Sequence, residues 1–424
     1  MAARQRGSIP LRGDLTLSNY LILMHECPLA AIFILPLENE SGMTVKVDPW
    51  SDIQGKVDYD KLIAEFGTER LTNKLIERLG RDAAKRGLPL HHLIRRGIFF
   101  SHRDLQWLLD EYDKGHKFFL YTGRGPSGDV HLGHVVPWML TKWLQDVYDV
   151  ELWFQMTDDE KFLFKPELTL EETNRLAYEN ALDVLAVGFD PKRTKIFVDT
   201  DFAATMYPLA VQVAKRLNFT TAKAVFGFTN DQNVGAIFYT AMQAVPAILP
   251  SVLAKRNIPC LIPYAIDQDA HFRAARDILP KLGYYKPAAL HCMFLPPLTG
   301  PGKMSTTGDA KSATIFMSDD PKSVRRKIMK YAFSGGKDTV EEHRKHGGNA
   351  DIDMAFQWLA YFEPDDAKLA DIRRCYESGE LLSGELKQIL VDTIVPILLE
   401  HQRRRGEARK HLADCVLKDI KWAG

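Results

Sequence analysis

Two histidines, His131 and His134, close a glycine-rich run that reads GRGPSGDVHLGH, with glycines at 123, 125 and 128. Glycines let backbone N–H groups come close to an anion, and imidazoles donate to charge that builds on phosphate oxygens. The residue types therefore suit chemistry on a phosphate. The same glycines also satisfy G-x-G-x-x-G, the mark of NAD-dependent oxidoreductases, which expects an acidic residue at the end of the next strand about 20 residues on. Asp149 falls near that distance, but it precedes the strand-like Leu152, Trp153 and Phe154. A hydride site also has no need of paired imidazoles, whereas phosphate transfer or adenylate chemistry does.

The elements around this run can position such a site. Phe118 to Tyr121 is an apolar-aromatic strand candidate, and Val136, Met139, Leu140, Trp143, Leu144 and Val147 recur at helical spacing. The glycines thus feed a helix N-terminus, where free N–H groups and the positive dipole end favour phosphate. Residues 151–161, ELWFQMTDDEK, read as a strand with a polar end, followed by a helix opened by Thr169 and stopped by Gly188. KIFVD at 195–199 is another strand, and a helix is expected through Tyr239, Met242, Gln243 and Ile248. PCLIPYAIDQD at 259–269 reads as a buried strand running into a polar end, with a helix after it. Residues 295–320 are rich in proline, glycine, serine and threonine and read as a loop; beyond Pro321 the pattern is almost wholly helical.

This alternation predicts an α/β fold, a doubly wound parallel-sheet (Rossmann-like) catalytic domain followed by an all-helical domain. The expected segments are an extension over 1–46, a hairpin and helical segment over 47–115, the sheet domain over 116–318 and the helical domain over 319–424. Arg4, Arg6 and Arg12 against Asp14 are compatible with either a weak transit peptide or a plain extension. Arg95, Arg96 and Arg103 flank an aromatic pair and read as a solvated rim rather than a nucleic-acid platform. Adjacent Asp158 and Asp159 invite a Mg²⁺ reading, but neighbours on a strand face opposite ways, so a structural role is expected and no resident metal.

The chain of 424 residues carries 55 lysines and arginines against 55 acidic residues, so no global field draws it to polyanions or anionic membranes. Its five cysteines are odd in number and widely spaced, which argues against a disulfide framework or a zinc site and for a reducing, cytoplasmic setting. The apolar run Leu29–Leu35 is far shorter than a bilayer span.

Lys303-Met304-Ser305 in the loop changes the reading. Together with Ser127-Gly128 and His131-Leu132-Gly133-His134, it resembles the paired signatures of class I aminoacyl-tRNA synthetases, written HIGH and KMSKS. Thr306 stands where many members carry a second lysine. The phrases VDPW, RRGIFFSHRD, YTGRGPSG, QMTDDEKF, AIDQD, AFSGGKDT and EEHRKHGGN are similar to the eukaryotic and archaeal branch of the tryptophanyl-tRNA synthetases.

The resemblance implies activation of L-tryptophan with ATP and Mg²⁺, then transfer to tRNA(Trp), by a cytoplasmic homodimer. It implies catalytic roles for His131, His134, Lys303 and Ser305, and ATP contacts from Arg124, Gly125, Pro126, Ser127, Gly133 and Met304. Tyr121 and Gln155 would address the indole, and Glu160, Gln243 and Gln268 the α-amino and carboxylate end. Asp338, Lys337, Arg344 and Lys345 would meet tRNA. Indole N–H is a donor only, and Tyr121 and Gln155 can both accept from it. The alternatives are a tyrosyl-tRNA synthetase and a synthetase-like binding protein without catalysis. Tyrosyl enzymes typically carry Gln-x-x-Asp in the segment where this chain has Gln243 followed at that spacing by Pro246.

Overall fold

A computed structural model describes Gly55, residues 57–304 and residues 310–420. The readings for residues 1–46, for the expected hairpin before residue 55 and for Ser305 lie outside the described residues. The described strands are β1 (Glu69–Arg70), β2 (Phe99–Arg103), β3 (Phe119–Arg124), β4 (Leu152–Met156), β5 (Thr194–Val198), β6 (Cys260–Ala265) and β7 (Ala288–Cys292). They form one sheet in the order β1-β2-β7-β6-β3-β4-β5. From β7 to β5 every neighbour is parallel, as the strand and helix alternation predicts. β2 departs from this, running antiparallel to β7 with β1 antiparallel to it.

Burial on both faces follows from the period of two. Leu152, Phe154 and Met156 of β4 and Leu120 of β3 join one core cluster with the helices Leu132–Tyr148 and Leu170–Ala186. Phe119, Tyr121, Trp153 and Phe197 join the opposite one with the helices Ala203–Ala214, Val234–Met242 and Asp269–Ile278. The helix Leu170–Ala186 starts at a capping box of Thr169 and Glu172 and is followed by Gly188 at φ +103°, as its sequence signals foretell.

Beyond residue 320 the helices Pro321–Tyr331, Met354–Phe362, Asp366–Glu377 and Ser383–Ala408 bear out the helical reading. Trp358, Leu359 and Ile394 join the same apolar cluster as β3 and β4, and Trp358 Nε1 donates to the Pro296 carbonyl at 2.8 Å. The helical part is docked through core contacts.

Two expectations need correction. Arg95 is exposed as a solvated rim requires, but Arg96 and Arg103 are half-buried, and all three are tied down. Arg95 and Arg96 pair with Asp366, Arg96 also donates to the carbonyls of Ala360 and Glu363, and Arg103 forks onto Asp269. Each guanidinium spends its donors stapling distant segments. The helix expected through Ile248 ends at Met242, because Pro246 lacks the N–H that would continue it; a 3₁₀ turn at Val245–Ala247 follows.

Candidate active site

In a doubly wound sheet, ligands meet the carboxyl ends of strands where the order reverses. That point here lies between β3 and β6, and the sequence-selected residues collect there and at the end of β4. After β3, Gly125 packs so closely on the segment following β4 that a Cβ would overlap the Lys161 side chain and come within 2.8 Å of Glu160 Oε2. Gly128 has φ +153° and its carbonyl accepts from Asn180 Nδ2. Pro126 is buried and Ser127 half-buried in the same turn. These positions force the turn to run against the strand ends.

His131 caps the helix Leu132–Tyr148. Its Nδ1 accepts the Gly133 N–H at 3.1 Å, while His134 Nδ1 accepts the His131 N–H at 3.2 Å. Burial pushes both imidazoles well below the usual histidine range, and the Arg124 cation adds to it, so both are neutral. With each Nδ1 accepting, the proton of each ring sits on Nε2. His134 Nε2 then faces Arg124 Nη1 at 2.9 Å. Burial lowers Arg124 to about 10, still charged at neutral pH. Two donors point at one place, which calls for an acceptor such as a phosphate oxygen.

The loop joins this turn physically. Leu132 N donates to the Ile315 carbonyl and Met317 N to that of Val130, and a Cβ on Gly133 would lie 3.7 Å from the Met304 sulfur. Lys303 is held 2.7 Å from Asp267 Oδ2, the oxygen that also accepts from Gln268 Nε2 at 3.1 Å. Glu160 accepts from Thr157 and from Lys161 at 2.8 Å. Burial alone would raise its carboxyl, but Lys161 and Thr157 hold it below the usual range, an anion suited to an ammonium group.

Behind these lies a chain of buried polar groups. Tyr239 donates to Gln243 Oε1, Gln243 Nε2 to Tyr121 Oη at 2.8 Å, and Tyr121 Oη to Gln155 Oε1 at 2.5 Å. Gln155 Nε2 ends the chain on Asp199, at 2.8 and 3.0 Å from its two oxygens. Thus Tyr121 and Gln155, which the resemblance pairs at the indole, form one hydrogen-bonded unit with Gln243, which it sets at the α-amino and carboxylate end.

The family model for tRNA synthetases class I (W and Y) matches residues 113–398, more than half of the chain. The chain belongs to the class I tRNA synthetases. It is similar to the tryptophan-tRNA ligase of Sulfolobus acidocaldarius, 52% identical over 367 residues that cover 86% of this chain and 93% of that one. The human cytoplasmic tryptophan-tRNA ligase is 46% identical over 386 residues, covering 88% and 80%. The crystal structure of Plasmodium falciparum tryptophanyl-tRNA synthetase superposes with a TM-score of 0.79 at 41% identity, covering 84% of this chain and 97% of that one.

In this class I tRNA synthetase the dinucleotide reading falls away. Asp149 caps the helix Leu132–Tyr148 in the left-handed region and pairs with Arg193 and Lys117, which precede β5 and β3, so it lies at the amino-terminal side of the sheet and not at a strand's carboxyl end. Asp158 is tied to Thr200 and Asn174 and so carries a structural role. The expected tRNA contacts Lys337, Asp338, Arg344 and Lys345 are all exposed. Arg344 is also occupied, donating to the carbonyls of Gly379 and Glu380.

Sequence reading missed Asp267, Asp199, Lys161 and Tyr239. Asp267 and Lys161 sit inside the phrases AIDQD and QMTDDEKF, one residue from those selected, so the signal was present. Asp199 carries none, because its partner is set by the neighbouring strand; Tyr239 sits one helical turn before Gln243, so the i, i+4 spacing was a signal that could have found it.

Proposed function

We propose that this protein activates L-tryptophan with ATP, releasing pyrophosphate, and transfers the tryptophanyl group from the adenylate to tRNA(Trp). The observation that carries the amino-acid choice is the Tyr121–Gln155–Gln243 unit together with Pro246. The unit offers oxygen lone pairs to an indole N–H, while Pro246, buried between Val245 and Ala247, gives a phenol no side-chain acceptor. The tyrosyl alternative loses on that point.

The chemistry needs positioning and charge stabilisation more than covalent help. As the tryptophan carboxylate attacks the α-phosphorus, charge grows on phosphate oxygens, and His131, His134, Arg124 and Lys303 supply donors. Arg124, Gly125, Pro126, Ser127 and Met304 shape the ATP side; Ser305 belongs to it by sequence. Mg²⁺ arrives with ATP as part of the substrate. Glu160 takes the ammonium group, and Gln268, already turned toward Asp267, borders the carboxylate end.

Residues 116–318 act as the catalytic part and 319–424 as the anticodon-binding part, with 47–115 packed on the first and 1–46 an extension. Lys337, Asp338, Lys345 and neighbouring Arg344 meet tRNA. A homodimer is supported by exposed apolar residues on two packed helices: Tyr207, 58% exposed, has its ring tilted against Phe238, and Val234, on the same helix as Phe238, is 80% exposed. The cytoplasm is the assigned compartment; the four described cysteines are all free thiols. Among the described residues no helix is long and apolar enough to cross a membrane.

Amino-acid-dependent ATP-pyrophosphate exchange tests the reading. Tryptophan should support exchange and tyrosine should fall short by roughly 10²-fold or more in kcat/KM. Gln155→Ala should erode that preference. Comparable kcat/KM for the two amino acids in the unmodified enzyme overturns it.

A further inference from the structure

Tyr121, Gln155 and Asp199 lie on one face of three successive parallel strands. β3 pairs Tyr121 with Trp153 and Gly123 with Gln155, and β4 pairs Gln155 with Phe197, two residues before Asp199. The period of two keeps Tyr121, Trp153, Gln155, Phe197 and Asp199 on the same side. All five are buried, and Asp199 is 1% exposed. Among the described residues no cation meets its carboxyl; it accepts from Gln155 Nε2 and shares a hydrogen bond with Asp159.

A glutamine amide has nearly the same shape with oxygen and nitrogen exchanged, so only its partners decide which end faces the ligand. At the far end of the chain Tyr239 plays this part for Gln243, whose NH₂ is thereby turned inward. That leaves two donors, Tyr121 O–H and Gln243 N–H, both aimed at Gln155 Oε1. If Gln155 turned over, the Tyr121 O–H and an arriving indole N–H would both lose this acceptor and face an NH₂ instead, while Gln243 would keep only Tyr121 Oη.

We propose that Asp199, backed by Asp159, is a specificity-determining positioning residue: by accepting the Gln155 amide N–H it fixes the oxygen toward Tyr121 and the indole N–H. The inference rests on the tryptophan reading above. Burial pushes both carboxyls up, and the charge of Asp159 raises Asp199 further, so the pair keeps a proton that Asp199 donates to Asp159. Asp199 thus acts as an acceptor toward Gln155 and a donor toward Asp159. Asparagine reproduces both roles in the same volume. Leucine reproduces neither.

The test uses ATP-pyrophosphate exchange with tryptophan and with β-(3-benzothienyl)alanine, in which sulfur replaces the indole N–H at nearly the same shape. The unmodified full-length enzyme should prefer tryptophan by about 10-fold or more in kcat/KM, since the analogue strands buried acceptors. Asp199→Leu should raise the tryptophan KM about 10-fold, leave the ATP KM within about twofold, and shrink the preference over the analogue to within about twofold. Asp199→Asn should keep the preference. A purely structural role would lower activity on both amino acids alike and leave the ratio unmoved.

Asp199→Ala provides the same comparison should the leucine variant not fold. Retention of the full preference in a folded Asp199→Leu or Asp199→Ala enzyme overturns the inference, as does its loss in Asp199→Asn. An unmodified enzyme that activates no tryptophan overturns the reading beneath it, and the inference with it.

Discussion

Arg124 Nη1 lies 2.9 Å from His134 Nε2, donor against donor, because the backbone N–H of His131 already occupies His134 Nδ1. A neutral imidazole has one proton and one lone pair, so it cannot accept from both neighbours. The mismatch is relieved by an anion oxygen that takes a hydrogen bond from each. The helix dipole beside it favours the same occupant, although the N–H groups of Leu132, Gly133 and His134 are already taken by Ile315 and His131.

Arg124→Ala should therefore raise the ATP KM by about 10-fold to 10²-fold, the loss of one charge-assisted hydrogen bond, while the tryptophan KM stays within about twofold. The rise in melting temperature that pyrophosphate induces should shrink with it. Exchange kinetics at varied ATP provide the check; an unchanged ATP KM refutes the assigned contact.

Lys303 is held on Asp267 and must leave it to reach the phosphates. Lys303→Ala should slow adenylate formation by about 10²-fold or more in single turnover, with tryptophan affinity nearly unchanged. The substitution also strips Asp267 of its cation, and Asp267 Oδ1 already lies buried without a hydrogen-bond partner. A lowered melting temperature should accompany the slow rate. Adding Asp267→Asn should restore the melting temperature and leave the rate low; recovery of both together refutes a phosphate role for the lysine.

Lys337, Arg344 and Lys345 are exposed, but Arg344 is bound to backbone carbonyls of the turn after the helix Asp366–Glu377. Neutralising Lys337 and Lys345 together should weaken tRNA charging and flatten its salt dependence, with pyrophosphate exchange unaffected. Arg344→Ala should lower the melting temperature as well, by freeing the turn it ties. Charging assays beside exchange assays separate the cases; equal loss of both activities in the lysine pair contradicts a tRNA contact.

The sequence by itself determined the local elements and the reacting groups. Gly125, Gly128, His131 and His134 announce a phosphate-facing helix start because their demands are local: a tight turn, a close approach, a cap. The strands β3 to β6 and the helices after Pro321 are legible for the same reason, since periodicity is a property of consecutive residues. Lys303 could be matched with His131 only through a family resemblance, for nothing in their spacing brings them together.

The tertiary structure decided the partners. Strand order sets β3 beside β4 and β6, and register then chooses Asp199 for Gln155, while the turns after the strands bring Asp267 to Lys303. It also gave Arg95, Arg96 and Arg344 partners across the fold, although Arg95 and Arg344 stay exposed, because a guanidinium reaches whichever carbonyls and carboxylates packing places within its fork. A hydrogen bond acts over about 3 Å of space and takes no account of the residues between its ends along the chain. That is why the glycine-rich turn and its capping histidine could be read from consecutive letters, and the acid that accepts from Gln155 could not.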